Sequence, residues 1–379
     1  MINEQSGAGI KVCHMSTVHR WDDNRVYQKQ CLTLQQFGFD VHLIVATGGK
    51  AQSDIITLHQ LREPKNRIDR IFNLTKEAFE EALLVDADVY QIHDPELLPT
   101  ALKLKKLGKH VVYDAHENAP ASIYDKEWIP LKPFRYAVSK YFENFELRIA
   151  KQLDGVISVA EPLIDRFENK RKILLRNLPN LTKFQSKDLT PELADAEPGV
   201  IYAGGLTAIR NIYEMIEGIH HSKECKVLHL FGDWETEAYK EKCMSSKGWS
   251  KVKFWGFRDS AEVYTFMQLK GQAGLVLFDG RIKNHQIALP NKVFEYMASG
   301  LPIIMSDIPY WKENFSNAVM FTDPQNPAKI ASTIDELLTS KEKQEQMIKV
   351  GLETVKTLNW EEEFKKLVGL YLDIVKSNN

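Results

Sequence analysis

The chain carries a short helix and a following strand in the segment Ala288-Leu-Pro-Asn-Lys-Val-Phe-Glu-Tyr-Met-Ala-Ser-Gly-Leu-Pro-Ile-Ile304. Pro290 and Asn291 are typical of a helix start, with Asn291 as the predicted N-cap, and Gly300 is typical of a helix end. The free N–H groups of a helix N-terminus can bind phosphate. Lys292 in the first turn opposes the helix dipole unless an anion lies there. The segment therefore predicts an anion site at the start of a helix that covers a sheet.

Strand and helix patterns alternate on both sides of this segment. Short apolar runs separated by stretches of helical periodicity favour a parallel sheet with helices on both faces. The predicted strands are 11–14, 41–46, 89–92, 110–114 and 155–159 in the first half, and 199–203, 226–231, 252–255, 274–278 and 302–306 in the second. The predicted fold class is α/β.

A break in this alternation divides the chain. Residues 177–198 contain Asn, Pro, Ser and Asp without apolar periodicity, which is typical of a linker. We therefore predict two Rossmann-like, doubly wound parallel-sheet domains, 1–180 and 181–357, that face a cleft. Ligands of such sheets bind at the carboxyl ends of the strands. The final helix, within 358–379, carries apolar residues on one face and is predicted to cross back to the first domain; these are Phe364, Leu367, Val368 and Tyr371.

The composition limits the function classes. The chain has 379 residues, with 49 basic and 51 acidic side chains and a net charge of −2, which does not favour nucleic-acid binding. No stretch approaches the roughly 20 apolar residues of a membrane span, and the N-terminus lacks the pattern of a secretory signal. The four cysteines form no C-x-x-C pair and are expected to be buried thiols. We expect a cytoplasmic protein.

A second candidate phosphate site lies where the second domain begins. Gly204 and Gly205 follow a predicted strand, and Arg210 lies near the start of the next helix. Glycines let the backbone approach a phosphate, and arginine can clamp it with two hydrogen bonds. A Gly-Gly pair alone is more often just a tight turn. Glu295 also has two interpretations. Its carboxylate could accept from ribose hydroxyls, or it could simply complement the helix dipole.

Polar residues cluster at predicted strand ends of the first domain. His93 and Asp94 follow one strand and His116 follows the next. Their convergence favours a site, with His93 and Asp94 on its acceptor side, although a single histidine is more often structural. The loop after the first strand, 16–26, is rich in charged groups, and its candidates for acceptor binding are His19, Asp23 and Arg25. A solvated loop with capping residues is the alternative.

Several of these motifs together resemble glycosyltransferase family 4, the retaining family of the GT-B fold, over nearly the whole chain. The matching stretches are 93–96, 113–117, 204–210, 290–302, 306–313 and 359–361. The resemblance is to bacterial members that build capsule, O-antigen or other surface polysaccharides. It implies transfer of a hexosyl group from a nucleoside diphosphate sugar, UDP- or GDP-linked, to a hydroxyl of a glycan or lipid-linked acceptor.

The resemblance also implies residue roles. Glu295 would hold the donor ribose and Arg210 would neutralise the diphosphate, whose oxygens the backbone at Pro290 and Asn291 would approach. His116 would contact the donor sugar. Three further residues would line the pocket for the base, namely Gly232, Gly256 and Phe257.

Two positions depart from the family pattern. Ile287 stands where a glutamate usually contacts the transferred sugar, and Asp279, Asn284 or His285 could substitute for it. Asn211 stands where a lysine often follows the phosphate arginine, and Lys292 is expected to restore that charge. The alternatives are therefore a nucleotide-sugar 2-epimerase of the same architecture and a non-catalytic GT-B partner subunit.

The sequence also bears on metal binding and on contact with a membrane. No metal or cofactor is expected, because Asp86-Ala-Asp88 precedes a predicted strand and is interpreted as a turn. Residues 128–145, together with Lys126, mix aromatic and basic side chains, and 103–109 is a basic cluster. Such a mixture suits peripheral contact with an anionic membrane. A core helix with one solvated face is the alternative.

Overall fold

A computed structural model of the chain describes residues 3, 5–46, 52–124, 131–185 and 188–377. Packing divides them into two units. Unit 1 comprises Met1–Asn177 with Glu361–Asn379, and unit 2 comprises Leu178–Trp360. These boundaries fall close to the expected 1–180 and 181–357. No helix in the described ranges has both the length and the apolar content needed to span a membrane.

Unit 1 contains a parallel sheet of seven strands in the order β3-β2-β1-β4-β5-β6-β7. The strands are β1 Lys11–Ser16, β2 Asp40–Ala46, β3 Thr57–Leu61, β4 Val89–Ile92, β5 His110–Ala115, β6 Gly155–Ser158 and β7 Lys172–Leu174. The helices and helical turns are Asn24–Cys31, Leu32–Gln36, Arg67–Asp69, Arg70–Leu74, Thr75–Val85, Pro95–Leu97, Leu98–Lys106, Ala119–Tyr124, Lys132–Ala150, Glu161–Ile164 and Trp360–Lys376. The strand order reverses between β1 and β4, so polar residues after these strands meet at one edge.

Unit 2 contains a parallel sheet of six strands in the order β10-β9-β8-β11-β12-β13. The strands are β8 Gly199–Ala203, β9 Leu228–Phe231, β10 Val252–Gly256, β11 Gly271–Val276, β12 Ile303–Ser306 and β13 Met320–Thr322. The helices and helical turns are Leu181–Phe184, Pro191–Ala194, Ala208–Arg210, Ile212–His221, Glu237–Met244, Lys247–Lys251, Ser260–Lys270, Lys283–Ile287, Asn291–Ala298, Pro309–Phe315, Pro327–Thr339 and Lys341–Val355. The order reverses between β8 and β11.

The α/β prediction is confirmed, and the strands that it missed lie at edges of the two sheets. β6 and β8 are buried at every residue, so their apolar runs are visible in the sequence. Three edge strands, β3, β7 and β13, were not predicted, because these three are partly exposed and lack such a run. The predicted linker also contains two short helical segments, Leu181–Phe184 and Pro191–Ala194.

The C-terminal helix packs on unit 1, which confirms the predicted return to the first domain. Its four predicted apolar residues are buried, and the ring of Phe364 lies 5.1 Å from that of Phe37. The hydroxyl of Tyr371 donates to Oε1 of Gln91 on β4. The helix therefore joins both the apolar core of unit 1 and a polar network inside it.

This network centres on the carboxylate of Asp114, which is fully buried near the end of β5. Arg25 donates to both of its oxygens, from Nε at 3.0 Å and from Nη2 at 2.7 Å. Gln30 and Nδ1 of His93 also donate to Oδ2. Burial acts to raise the pKa of Asp114, but the charge of Arg25 and the bond from His93 hold it well below its usual value.

Two predicted acceptor residues therefore lie in the interior. Arg25 is buried, and its remaining amino group donates to the carbonyl of Leu175, so it balances Asp114 rather than facing an acceptor. His93 is also buried, and its Nε2 accepts from Nδ1 of His14 at 2.9 Å. The sequence placed Arg25 in a loop and His93 at a strand end facing the site, whereas their bonds to Asp114 hold both residues inside.

Removing Arg25 should destabilise unit 1 strongly. The substitution Arg25→Met leaves a buried carboxylate without its cation, which costs about 3–5 kcal/mol. Arg20→Met is the matched control, because the Arg20–Asp22 pair is largely exposed on the arginine side and contributes little. Urea unfolding followed by circular dichroism measures both variants. Equal midpoints for the two would contradict the assignment of Asp114 as a buried, arginine-dependent charge.

Candidate functional site

Three glycine turns lie side by side at the carboxyl edge of the unit 2 sheet. Gly204, Gly232 and Gly256 end the neighbouring strands β8, β9 and β10. The N–H of Gly204 donates to Phe231 and that of Gly232 donates to the carbonyl of Gly256. A Cβ on Gly232, whose φ is +127°, would lie 2.0 Å from the carbonyl oxygen of Gly204. Only glycine fits this close approach of two turns.

Arg210 lies against the first of these turns. Its Nη1 donates to the carbonyl of Gly205 at 3.2 Å and to the hydroxyl of Tyr202 at 3.4 Å. The guanidinium also lies over the ring of Phe278, 5.4 Å from its centroid. The turn, the end of β8 and an aromatic side chain thus hold the arginine in place.

Lys292 reaches the same turn from the helix Asn291–Ala298. A Cβ on Gly204 would lie 3.0 Å from Cε of Lys292 and 3.2 Å from Nη1 of Arg210. Two cations therefore flank a turn that has no side chain of its own. Positive charge beside a half-buried turn that has no side chain suits the binding of phosphate oxygens.

Asn211 has a structural role in the same loop. It is buried and adopts a left-handed conformation with φ +52°. Its Nδ2 donates to the carbonyl of Leu277 at 2.9 Å, and its Oδ1 accepts from Gln325 at 2.7 Å. A lysine here would lose both bonds. The second cation beside Gly204 consequently comes from Lys292.

Glu295 is buried and faces polar side chains. Its Oε2 accepts from Nζ of Lys292 at 2.8 Å, and its Oε1 accepts from the hydroxyl of Tyr264 at 3.1 Å. The ring of Tyr264 in turn stacks on Phe184 at 4.1 Å. Burial and the charge of Glu295 raise the pKa of Tyr264. These partners fix the carboxylate far more firmly than complementing a helix dipole would require.

The helix itself begins differently from the prediction. Asn291 is its first residue and Pro290 is the N-cap, with no side-chain cap bond. Pro290 has φ −74° and ψ 127°, and its carbonyl accepts from the N–H of Val293 at 3.1 Å. The fixed φ of proline sets the entry angle, so Asn291 does not cap. The assignment of Asn291 as N-cap is wrong by one residue, while the start of the helix lies where it was expected.

The loop around Ile287 offers an imidazole in place of the missing carboxylate. Nδ1 of His285 donates to the carbonyl of Asp279 at 2.8 Å, so its Nε2 is left as an acceptor. Burial lowers the pKa of His285, opposed by that bond, and the charge of Arg210 lowers it further. Asp279 is held by Arg281, with a closest contact of 2.6 Å. Asn284 is half-buried in the same short helix.

A cavity of about 560 Å³ opens beside this loop in unit 2. Its lining includes Asp279, Asp307, Tyr310 and Gln325. Gln325 also donates to Asn211, which precedes the helix Ile212–His221. The cavity thus adjoins the loop that carries Arg210. The ring of Phe257, beyond β10, is 75% exposed and so is available to a ligand.

In unit 1 the loops after β1, β4 and β5 bring together two histidines and two carboxylates. Nε2 of His19 lies 3.2 Å from Nε2 of His116 and 3.7 Å from Oδ1 of Asp94. Nδ1 of His19 lies 3.3 Å from Oδ2 of Asp23. The other oxygen of Asp94 accepts from the backbone N–H of Thr17 at 2.6 Å. Of the predicted acceptor-side residues, His19 and Asp23 are thus partly exposed beside His116, whereas Asp94 is buried and orders the loop.

One group in the described residues has the spacing of a metal site, since ligand atoms of His93, Asp114 and His116 lie within 4.8 Å of one another. Both oxygens of Asp114 already accept from Arg25, and His93 donates to one of them. A guanidinium in this position repels a metal ion. The cluster is therefore part of the buried ion-pair network.

Three residues of the unit 2 site were not predicted, namely Tyr202, Tyr264 and Phe278. Tyr202 lies two positions before the Gly-Gly turn, and this position could have identified it as a site residue. Tyr264 and Phe278 carry no comparable pattern, because they reach Glu295 and Arg210 only through the packing of separate elements.

Residues 188–354 match the family model described as glycosyl transferases group 1. No curated protein matches the chain. Sucrose-phosphate synthase from Thermosynechococcus elongatus is 16% identical with a TM-score of 0.73, over 97% of this chain and 100% of that one. A glycosyltransferase from Rickettsia africae is 15% identical with a TM-score of 0.69, over 97% and 99%. Anabaena HepE in complex with UDP-glucose is 11% identical with a TM-score of 0.71, over 98% and 100%.

These structural similarities show the GT-B fold that the sequence predicted. The family match falls on the unit that contains Arg210, Lys292 and Glu295. Together they support a glycosyltransferase.

The contact between the Gly232 and Gly204 turns should be indispensable to the unit 2 site. Gly232→Ala should destabilise the unit by about 1–3 kcal/mol from backbone strain at this φ. The clash of the new Cβ with the Gly204 carbonyl should add to this loss. The substitution should also weaken nucleotide binding, because Gly204 lies against both cations. Gly300→Ala is the control, with φ +69° and nothing closer to its Cβ than 4.0 Å. Calorimetry and chemical unfolding that find the two variants alike would refute this role.

Proposed function

We propose that the chain is a retaining glycosyltransferase of family 4, which moves a hexosyl group from a UDP- or GDP-linked sugar to a hydroxyl of a glycan or lipid-linked acceptor. The observation that carries the proposal is that Arg210 and Lys292 both lie against the Gly204 turn, with Lys292 bonded to the buried carboxylate of Glu295. This group lies in the segment that matches the family model.

In this proposal each group has a defined task. Arg210 and Lys292 bind the diphosphate and stabilise the negative charge that grows on it as the bond to the sugar breaks. Glu295 accepts hydrogen bonds from the ribose hydroxyls, and its bonds to Tyr264 and Lys292 hold it ready for them. The backbone at Pro290 and Asn291 approaches the phosphates, and Gly232, Gly256 and Phe257 line the space for the base.

The first unit supplies the sugar and acceptor side of the proposed reaction. His116 contacts the transferred sugar, and the loop with His19 and Asp23 faces the acceptor. His285 substitutes for the carboxylate absent at Ile287, because its free Nε2 can accept from a sugar hydroxyl. The leaving phosphate takes the acceptor proton, so no side-chain base is required.

Charge from the protein supports a metal-independent reaction. The two cations beside Gly204 provide the stabilisation that a divalent ion provides in metal-dependent transferases. We further propose a cytoplasmic enzyme of bacterial surface-polysaccharide synthesis. The pathway rests on the sequence resemblance, and the four buried free cysteines support a reducing compartment.

Loss of either cation should weaken nucleotide binding. Arg210→Met and Lys292→Met each remove charge-assisted bonds, which should raise the Kd for the nucleoside diphosphate about 10- to 100-fold. Glu295→Gln should weaken binding of the nucleoside diphosphate but not of free pyrophosphate, because only the former carries a ribose. Arg281→Met is the control, since Arg281 is exposed and pairs with Asp279.

Calorimetry on the folded variants, with sugar transfer assayed on the same samples, tests this assignment. Unchanged affinity in both cation variants would overturn the phosphate site. Binding without transfer to any acceptor would favour a partner subunit, and epimerised donor without acceptor would favour an epimerase.

We also propose peripheral contact of unit 1 with an anionic membrane, through the first half of the helix Lys132–Ala150. Leu131, Phe134, Tyr136 and Tyr141 are exposed there, and only the end of the helix is buried. Basic side chains lie beside them, including Lys132 and Lys140. Two residues of the predicted surface, Lys126 and Trp128, lie outside the described residues.

The membrane proposal predicts salt-sensitive vesicle binding. The double variant Phe134→Ser/Tyr141→Ser should reduce flotation with vesicles that contain phosphatidylglycerol, because it removes apolar area that would enter the interface. Leu84→Ser is the control, since Leu84 lies on a different helix and is more exposed than either Phe134 or Tyr141. Absence of flotation by the unaltered chain at low salt contradicts the proposal.

A further inference from the structure

Two histidine rings of unit 1 meet nitrogen to nitrogen at the carboxyl edge of the sheet. Nε2 of His19, in the loop after β1, lies 3.2 Å from Nε2 of His116, in the loop after β5. Their ring centroids are 5.0 Å apart, and both side chains are partly exposed. This distance is that of a hydrogen bond, so a proton must lie between the two nitrogens.

The other ring nitrogens determine how many protons the pair carries. Nδ1 of His116 lies 3.1 Å from the carbonyl oxygen of Asp114, and a carbonyl can only accept. Nδ1 of His19 lies 3.3 Å from a carboxylate oxygen of Asp23, which is also an acceptor. Both Nδ1 atoms are therefore protonated. One further proton between the Nε2 atoms makes the pair a single cation.

The neighbouring charges place that cation on His19. Burial acts to lower the pKa of His19, but the bond to Asp23 and the charge of Asp94 raise it above its ordinary value, and Asp114 adds to this. Burial lowers the pKa of His116, opposed by Asp114 and assisted by Arg25, His19 and His93. His19 is thus the imidazolium and His116 the neutral ring that accepts from it.

We propose that His19 and His116 share one proton through their Nε2 atoms, and that His19 thereby acts as a positioning residue for His116. The functional part rests on the proposed function, in which His116 contacts the transferred sugar. With the proton present, His116 is fixed at both nitrogens. Without it, two lone pairs face each other at hydrogen-bond distance, and the His116 ring turns away.

The proposal predicts that the pH profile of turnover has a basic limb, along which activity falls as the pH rises. Charged and titratable groups around the pair are Asp23, Asp94, Asp114, Arg25 and His93, and the carboxylates among them retain the His19 proton above the ordinary range. As the pH rises through the pKa of His19, turnover falls. The effect belongs to kcat, because the groups proposed to bind the nucleotide all belong to unit 2.

Histidine side-chain NMR on the ¹⁵N-labelled full chain tests the proton directly, without any assay. At pH 7 the expected result is a doubly protonated His19 and a His116 with hydrogen on Nδ1. A His19 that titrates at or below about 6.5, the value of free histidine, overturns the proposal. So does a His116 with hydrogen on Nε2. Signals that change on EDTA treatment overturn it as well, because the contact would then be bridged by a metal ion.

Variants test the positioning role. His19→Ala should lower kcat about 10- to 100-fold at pH 7, because His116 is no longer held in place. His19→Gln keeps a donor for Nε2 of His116 but cannot titrate, so it should retain most of the activity and lose the basic limb. His42→Gln is the control, because the His42–His59 contact lies on other strands. Persistence of the basic limb in His19→Gln overturns the positioning role.

Stability supplies a readout that does not depend on the reaction. A histidine whose pKa rises on folding stabilises the protein below its unfolded pKa, and this stability is lost as the pH rises through the folded pKa. The difference in unfolding free energy between the unaltered chain and His19→Gln should therefore shrink over the range where His19 titrates. A constant difference contradicts the shared proton. Sharing confirmed by NMR in a chain that transfers no sugar would instead count against the proposed function.

Discussion

Parallel strand direction is the constraint on which both candidate sites depend. Every strand of the two described sheets runs the same way as its neighbours, so all of them end at one edge. In unit 2 that edge aligns the turns of Gly204, Gly232 and Gly256. In unit 1 it brings the loops of His19, Asp94 and His116 together. Residues that are dozens of positions apart in the chain thus become neighbours without any local signal.

The two edges differ in their electrostatics. In unit 2, Arg210 and Lys292 put positive charge beside a turn with no side chain, and Glu295 is the carboxylate that balances one of them. Around the His19–His116 contact in unit 1, the carboxylates of Asp23, Asp94 and Asp114 outnumber the arginine Arg25, which is paired with Asp114. The first arrangement suits a diphosphate, while the second suits hydroxyl groups and protons. The positive charge of the unit 2 edge therefore fits the proposed binding of the donor through its nucleotide.

In the proposed site, neighbouring residues compensate for the two positions that depart from the family pattern the sequence resembles. Asn211 lacks the charge of a lysine, yet its amide joins two loops through Leu277 and Gln325. Lys292 brings a cation to the same turn from another helix. Ile287 provides no carboxylate, and His285 presents an uncharged nitrogen two positions earlier. In the proposed site the phosphate region therefore stays cationic, while the sugar region is more neutral.

The sequence by itself determined the α/β alternation, the buried central strands, the Gly-Gly turn and the helix after Pro290. Each of these features depends on residues that are close together in the sequence. The tertiary structure alone decided which charges meet. Arg25 looks like a loop residue until the sheet brings Asp114, 89 positions away, against it. Glu295 looks like a helix charge until Tyr264 reaches it. Pairing between distant segments depends on how strands are ordered in the sheet, and no local pattern encodes that order.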